Sequence, residues 1–150
     1  KFRGTATVAE YADVAERYAI KAEGSAGDVV MIDYDGASEI RIADQHATPY
    51  VFGVISTAPA LEMNASAGTD ATHPYIALAG RVPCKVIGPI AKGQKLIVAG
   101  VHPKTQAAIP GVAKAVPWNG DTYDARFAVA LEAYADEDNI GTIEVVVRGR

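Results

Sequence analysis

Asp13 and Glu16 stand three residues apart in the stretch Tyr11-Ala-Asp-Val-Ala-Glu-Arg-Tyr18. On a helix that spacing makes two carboxylates neighbours. A carboxyl group beside another carboxylate can have a raised pKa and act as a general acid or base, so these two are the candidate catalytic pair. The same spacing also suits an ordinary solvated face, with Glu16 and Arg17 turned towards water.

Other residue types offer less. Cys84 alternates with Val82 and Val86 on one face of Arg81 to Ile87, a position that suits a buried hydrophobe better than a thiolate nucleophile. His46, His73 and His102 are far apart, without the close pairing of zinc ligands, and are expected as surface residues. The acidic residues Asp121, Asp124 and Asp136 to Asp138 match no calcium-loop spacing and are expected in solvated turns. Trp118, in Val116-Pro-Trp-Asn-Gly120, and Tyr123 are candidates for contact with a sugar or a partner protein, although such a Trp more often lids a β core. No nucleotide, metalloprotease or hydrolase motif occurs, and no cofactor or metal is expected.

Short strands and turns should position these residues. Val8, Tyr11, Ala12, Ala15, Tyr18 and Ala19 recur at three- and four-residue steps, which predicts one short N-terminal helix, with Thr7 and Glu10 as its capping box. Strands are expected at 28–33, 39–42, 50–56, 75–78, 81–87, 95–99, 127–134 and 140–149, with short apolar pieces in 106–115. Gly53 inside its strand predicts a bulge or a close backbone approach. Residues 57–73, rich in Ala, Ser, Thr and Gly, read as the longest loop. About eight short strands with turn signals between them indicate an all-β barrel or sandwich.

The totals set the limits. A chain of 150 residues can bury about 70% of its unfolded surface without disulfides or metals. Its formal charge of −4, with no Lys/Arg cluster, argues against a nucleic-acid partner. No apolar run approaches a membrane span, so no membrane insertion is expected. The sequence starts at Lys1 in mid-pattern and is expected to be the C-terminal portion of a longer protein. Its residues 1–12 would then be an arm, and 13–150 one globular β-domain.

Phe2-Arg-Gly-Thr-Ala-Thr7 followed by Tyr11 to Tyr18 resembles the junction near the C-terminal ends of bacteriophage tail-fibre and appendage proteins. The resemblance continues through Gly27-Asp-Val-Val30, Val51-Phe-Gly-Val-Ile-Ser56, Met63-Asn64, Gly80 to Val86, Gly88 to Gly93, Ala128 to Glu132 and Gly141 to Val146, nearly the whole chain. It implies a C-terminal domain of a homotrimeric virion fibre, which caps the fibre, helps three chains trimerise and sits at the host-facing tip. The implied partners are two further copies, the upstream fibre segment and a host-surface receptor. Related appendage domains act as intramolecular chaperones and cut themselves off. Carried over, the cut would fall between Ala12 and Asp13, with Asp13 and Glu16 as the acidic residues. Ala12 stands where a hydroxyl-bearing residue is expected.

Overall fold

The computed structural model describes residues 13–57, 61–117 and 123–148. Among them, ten strands form one connected sheet: β1 (Asp13–Arg17), β2 (Val29–Ile32), β3 (Ile40–Ile42), β4 (Val51–Ser56), β5 (Leu61–Met63), β6 (Tyr75–Val86), β7 (Lys95–Val101), β8 (Ala108–Ala115), β9 (Ala128–Ala130) and β10 (Gly141–Val147). Among the described residues, helical structure is confined to two short 3-10 turns, Ala65–Ala67 and Tyr123–Ala125. The all-β expectation holds, with ten strands rather than eight.

Five strands close a barrel. β6 pairs with β10, β10 with β9, β9 with β7, β7 with β8, and β8 returns to β6 at Val86–Ala113. Val82, Cys84, Val86, Leu96, Val98, Ala113, Phe127, Ile143 and Val145 fill it. Except for Phe127, which immediately precedes β9, each lies on alternate positions of its strand, as a two-residue period requires.

A second layer grows from the first half of β6, which β1 flanks on one side and β4 on the other; β4 continues through β2 to β3. This layer is buried on both faces. Val29, Met31, Val54 and Ala77 join the barrel core, whereas Val30, Ile40, Ile55 and Ile76 form a separate cluster with Ile20, capped by Tyr18 and Phe52. The rings of Tyr18 and Phe52 meet edge to face at 4.8 Å. Burial on both faces explains the continuous apolar runs VVMI and VFGVIS.

Three local expectations need correction. The predicted N-terminal helix is absent among the described residues, because 13–17 is β1, paired antiparallel with β6 and parallel with β5. Val14 and Ala15 suit either periodicity, and the pairing decides. The long loop 57–73 contains β5 and a 3-10 turn. The pieces within 106–115 are one strand, β8, which absorbs Gly111 at φ +79° beside a register shift. Gly53 does mark a close approach. A Cβ there would come within 2.4 Å of the Ala77 carbonyl oxygen, and the β2–β4 register shifts opposite it.

Candidate functional site

β1 carries the junction residues. In a strand, side chains three apart do not lie together as they do on a helix, so the spacing that pairs Asp13 with Glu16 no longer applies. The Asp13 side chain lies outside the described residues. Glu16 is half-buried, and its Oε1 accepts a hydrogen bond of 3.1 Å from the Tyr18 hydroxyl, two residues on. Burial first, then that bond and the Glu16 charge, push the Tyr18 hydroxyl up to about 12. The phenol therefore remains a donor, and one oxygen of Glu16 is already engaged.

Arg17, expected in water, is enclosed, with a side chain only 12% exposed. Its Nε donates to the Ala65 carbonyl at 2.9 Å and its Nη1 to the His73 carbonyl at 2.6 Å. Nη1 also meets exposed Asp70 at 3.0 Å. The guanidinium lies 4.1 Å from the centre of the Tyr75 ring. Tyr75 in turn donates its hydroxyl to Glu62 at 2.9 Å, and the Asn64 amide donates to the Arg17 carbonyl at 3.3 Å. Burial, ahead of the Glu62 bond, raises the Tyr75 hydroxyl above its ordinary 10.0. Arg17 thus fastens β1 to residues 64–73 and to the start of β6.

The register adds a further point. Asp13, at the start of β1, and Val147, at the end of β10, share one partner on β6, Gly80. Gly80 has φ +98°, a conformation that favours glycine. The start of β1 and the end of β10 are therefore both held at Gly80 of β6.

Of the other sequence candidates, only His73 joins this site, and only through its carbonyl. Trp118 and the Tyr123 side chain lie outside the described residues. Cys84 is fully buried in the barrel core, and burial pushes its thiol far above the ordinary value. His46 Nδ1 lies 3.1 Å from the Ala99 carbonyl, His102 Nε2 lies 2.9 Å from that of Asp138, and His73 Nδ1 contacts Thr72. No metal-holding group of three or more acidic, His or Cys side chains occurs among the described residues. Asp136 caps its own turn by accepting from the Asp138 and Asn139 amides, which lower its carboxyl below the ordinary 3.8. Lys85 Nζ sits 2.7 Å from Ser25 Oγ, a contact reminiscent of a nucleophile with its base. Asp28 at 2.8 Å ion-pairs that ammonium, however, so the contact is a clamp between the 24–28 loop and β6.

A second polar cluster, not anticipated from sequence, lies at the β2–β3 hairpin. Arg41 on β3 reaches Asp33 at 2.9 Å, Asp35, and Asp44 at 3.4 Å. The signal was the close spacing of these residues around the Asp33-Tyr-Asp-Gly36 turn, which a hairpin folds onto its own second strand. No comparable signal exists for Arg17, whose partners lie 48 to 56 residues away.

No protein-family model matches the chain, and no curated protein matches it. Among solved structures, the fold is similar to part of the crystal structure of the pre-mature bacteriophage phi29 gene product 12. The TM-score is 0.64 over 92% of this chain, at 14% sequence identity. The chain spans 22% of the length of that protein. At this identity the likeness is one of fold. Among the described residues no helix is long and apolar enough to cross a membrane.

Proposed function

We propose that this chain is a virion assembly domain of a bacteriophage tail fibre or appendage, one that brings three copies into register and caps the fibre. The observation that carries the reading is the likeness of fold to a phage protein over 92% of the chain. The order of sequence motifs along nearly the whole chain points the same way. A closed barrel with a second layer folded onto it can form before three long fibre segments align, and can then align them. Exposed Met63, Val101 and Ile140 offer apolar contact for such an association. Light scattering at concentrations well above micromolar tests it: a trimer is expected, and a monomer at every concentration overturns it.

A second reading is self-removal by cleavage between Ala12 and Asp13. It is favoured by the neighbour having been crystallised in a pre-mature form. Under this reading Arg17 and Gly80 hold the bond's downstream side against the fold, and Asp13 and Glu16 supply the acidic groups. A longer chain carrying the fibre segment upstream should release a fragment beginning at Asp13, and Glu16→Gln should slow that release. Only full-length protein after long incubation would remove the idea.

A further inference from the structure

Charge is unevenly divided along the chain. Residues 13–70 carry ten carboxylates against three Lys and Arg. Between Asp70 and Asp121 there are six Lys and Arg and no carboxylate. The first stretch builds β1 to β5, and the second supplies β6, β7 and β8 of the barrel. A division in sequence thus becomes a division in space. On the acidic side, Asp35, Asp44 and Asp70 are each more than half exposed.

On the barrel the cations converge, although no run of the sequence clusters them. Lys114 lies opposite Ile97 in the β7–β8 pair, and the Lys95 carbonyl accepts from the Val116 N–H, so both lysines stand at one end of that hairpin. Arg126 is brought beside them by Phe127, whose N–H donates to the Leu96 carbonyl. Lys92 comes from the turn before β7. Lys92 and Lys114 border a groove of about 840 Å³ whose apolar lining includes Ile87, Pro89, Pro103 and Pro117. Lys95 and Arg126 border a smaller groove of about 240 Å³ that adjoins it at Gln94 and Val116. Among the described residues, Glu137 is the one carboxylate along either. None of these four cations has an ion-pair partner among the described residues, in contrast to Arg17, Arg41, Arg81, Lys85 and Lys104. The Arg126 Nε is also buried without a hydrogen bond, a donor that the chain itself leaves unsatisfied.

We infer that this cationic groove is one half of a head-to-tail contact between copies, and that it receives the acidic β1–β5 layer of a neighbouring copy. The inference rests on the assembly reading and names the surfaces through which assembly works. Every copy carries the complement. A chain of net charge −4 that gathers four cations on one face leaves the remainder more acidic still. A cationic face that meets an unlike, acidic face makes a heterologous contact, and such contacts close into a ring of three when each copy is turned by a third of a revolution from the last. Like faces repel, so the same charges disfavour the two-fold arrangement in which groove meets groove. The charge division therefore sets three barrels in one rotational order.

The test uses the intact chain. A carbodiimide joins a carboxylate to an amine only where the two are in contact. In a mixture of isotope-labelled and unlabelled copies, Lys92, Lys95 or Lys114 of one copy should crosslink to a carboxylate within 13–70 of another. Lys92→Glu combined with Lys114→Glu should weaken association at least about tenfold by light scattering. Salt at about 1 M, where the screening length is about 3 Å, should weaken it in the parent. Lys21→Glu, on the acidic side, should not weaken it. The doubly reversed chain should melt close to the parent, because neither lysine has a partner to lose; if it melts early, the crosslinks in the unaltered protein decide. A trimer that survives both reversals and high salt, or crosslinks confined to single copies, overturns the inference and leaves the assembly reading standing. A parent that is a monomer at every concentration removes both. If the reversals spare the trimer but abolish binding of inorganic polyphosphate, the inference is overturned and the groove belongs to a polyanionic ligand.

Discussion

Arg17 and Arg41 are both enclosed guanidinium groups lying beside a tyrosine ring, but they are partnered differently. Arg17, 12% exposed, donates mainly to backbone carbonyls of a distant segment, and its one carboxylate partner, Asp70, is 74% exposed. Arg41, 9% exposed, faces three carboxylates, and Asp33 among them is only 1% exposed. A carbonyl released from Arg17 can turn to water. A carboxylate released from Arg41 at Asp33 cannot, and an uncompensated buried charge is among the more expensive defects a fold can carry. The first arginine fastens two pieces of chain, and the second neutralises a site.

The comparison is tested most directly by Arg41→Met, which keeps the volume and removes the charge. It should cost about 3–5 kcal/mol, because Asp33 remains inside without a countercharge and with only the Ser38 amide to bond it. Urea unfolding should show one cooperative transition moved to much lower denaturant. If Arg41→Met loses less than Arg17→Met, the distinction drawn between the two residues fails.

Acid should separate them next. The Arg41 bond, opposed by burial and helped by the Ser38 amide, holds the Asp33 carboxyl below its ordinary 3.8. The folded protein therefore binds this proton less readily than the unfolded chain. The stabilisation is complete above pH 3.8 and is lost as pH falls through the lowered folded value. In Arg41→Met the largest lowering influence is gone and burial is opposed only by the Ser38 amide and the Lys21 charge, so the carboxyl moves upward and protonation costs the variant less than the parent. The gap in melting temperature between parent and variant should narrow as the pH is lowered through that range. A gap independent of pH would show that Asp33 is not the group Arg41 serves.

The two arginines also mark what could be read in the sequence. The alternation Val82-Pro-Cys-Lys-Val86 is local, and its inward face appears as expected, with all three apolar residues fully buried. The apolar spacing of β1 fits a helix or a strand equally well. What decides it is pairing with β5 and β6, residues 61–63 and 75–80, which no local pattern announces. β5 was missed for the same reason, since Leu61-Glu-Met63 has too few residues to show a period and is held by β1. Arg41 finds its partners within eight residues, so a hairpin placed over Asp33 to Arg41 could have revealed the cluster. Arg17 finds its partners across the whole first half of the chain, and Glu16-Arg17 looked like a solvated face until the fold closed over it.

Arg17→Met should have a smaller and more local effect, about 1–2 kcal/mol. The bonds to the Ala65 and His73 carbonyls go, and the Tyr75 ring loses its cation. Hydrogen exchange should rise across residues 64–73 and β1 while the barrel strands β7 and β10 keep their protection. Limited proteolysis should cut the variant first within 64–73. Uniform loss of protection would mean that Arg17 supports the whole fold rather than one seam.

The smallest effect separates the partners of Arg17 from one another. Asp70→Asn removes the ion pair but leaves both carbonyl bonds, and a carboxylate 74% exposed gains little from a charge that water already screens. The change in stability should stay within about 0.5 kcal/mol, and exchange in 64–73 should match the parent. If Asp70→Asn instead reproduces the local loosening of Arg17→Met, the seam is held by charge after all. Adding salt would then weaken it in the parent, which a backbone-anchored Arg17 does not predict.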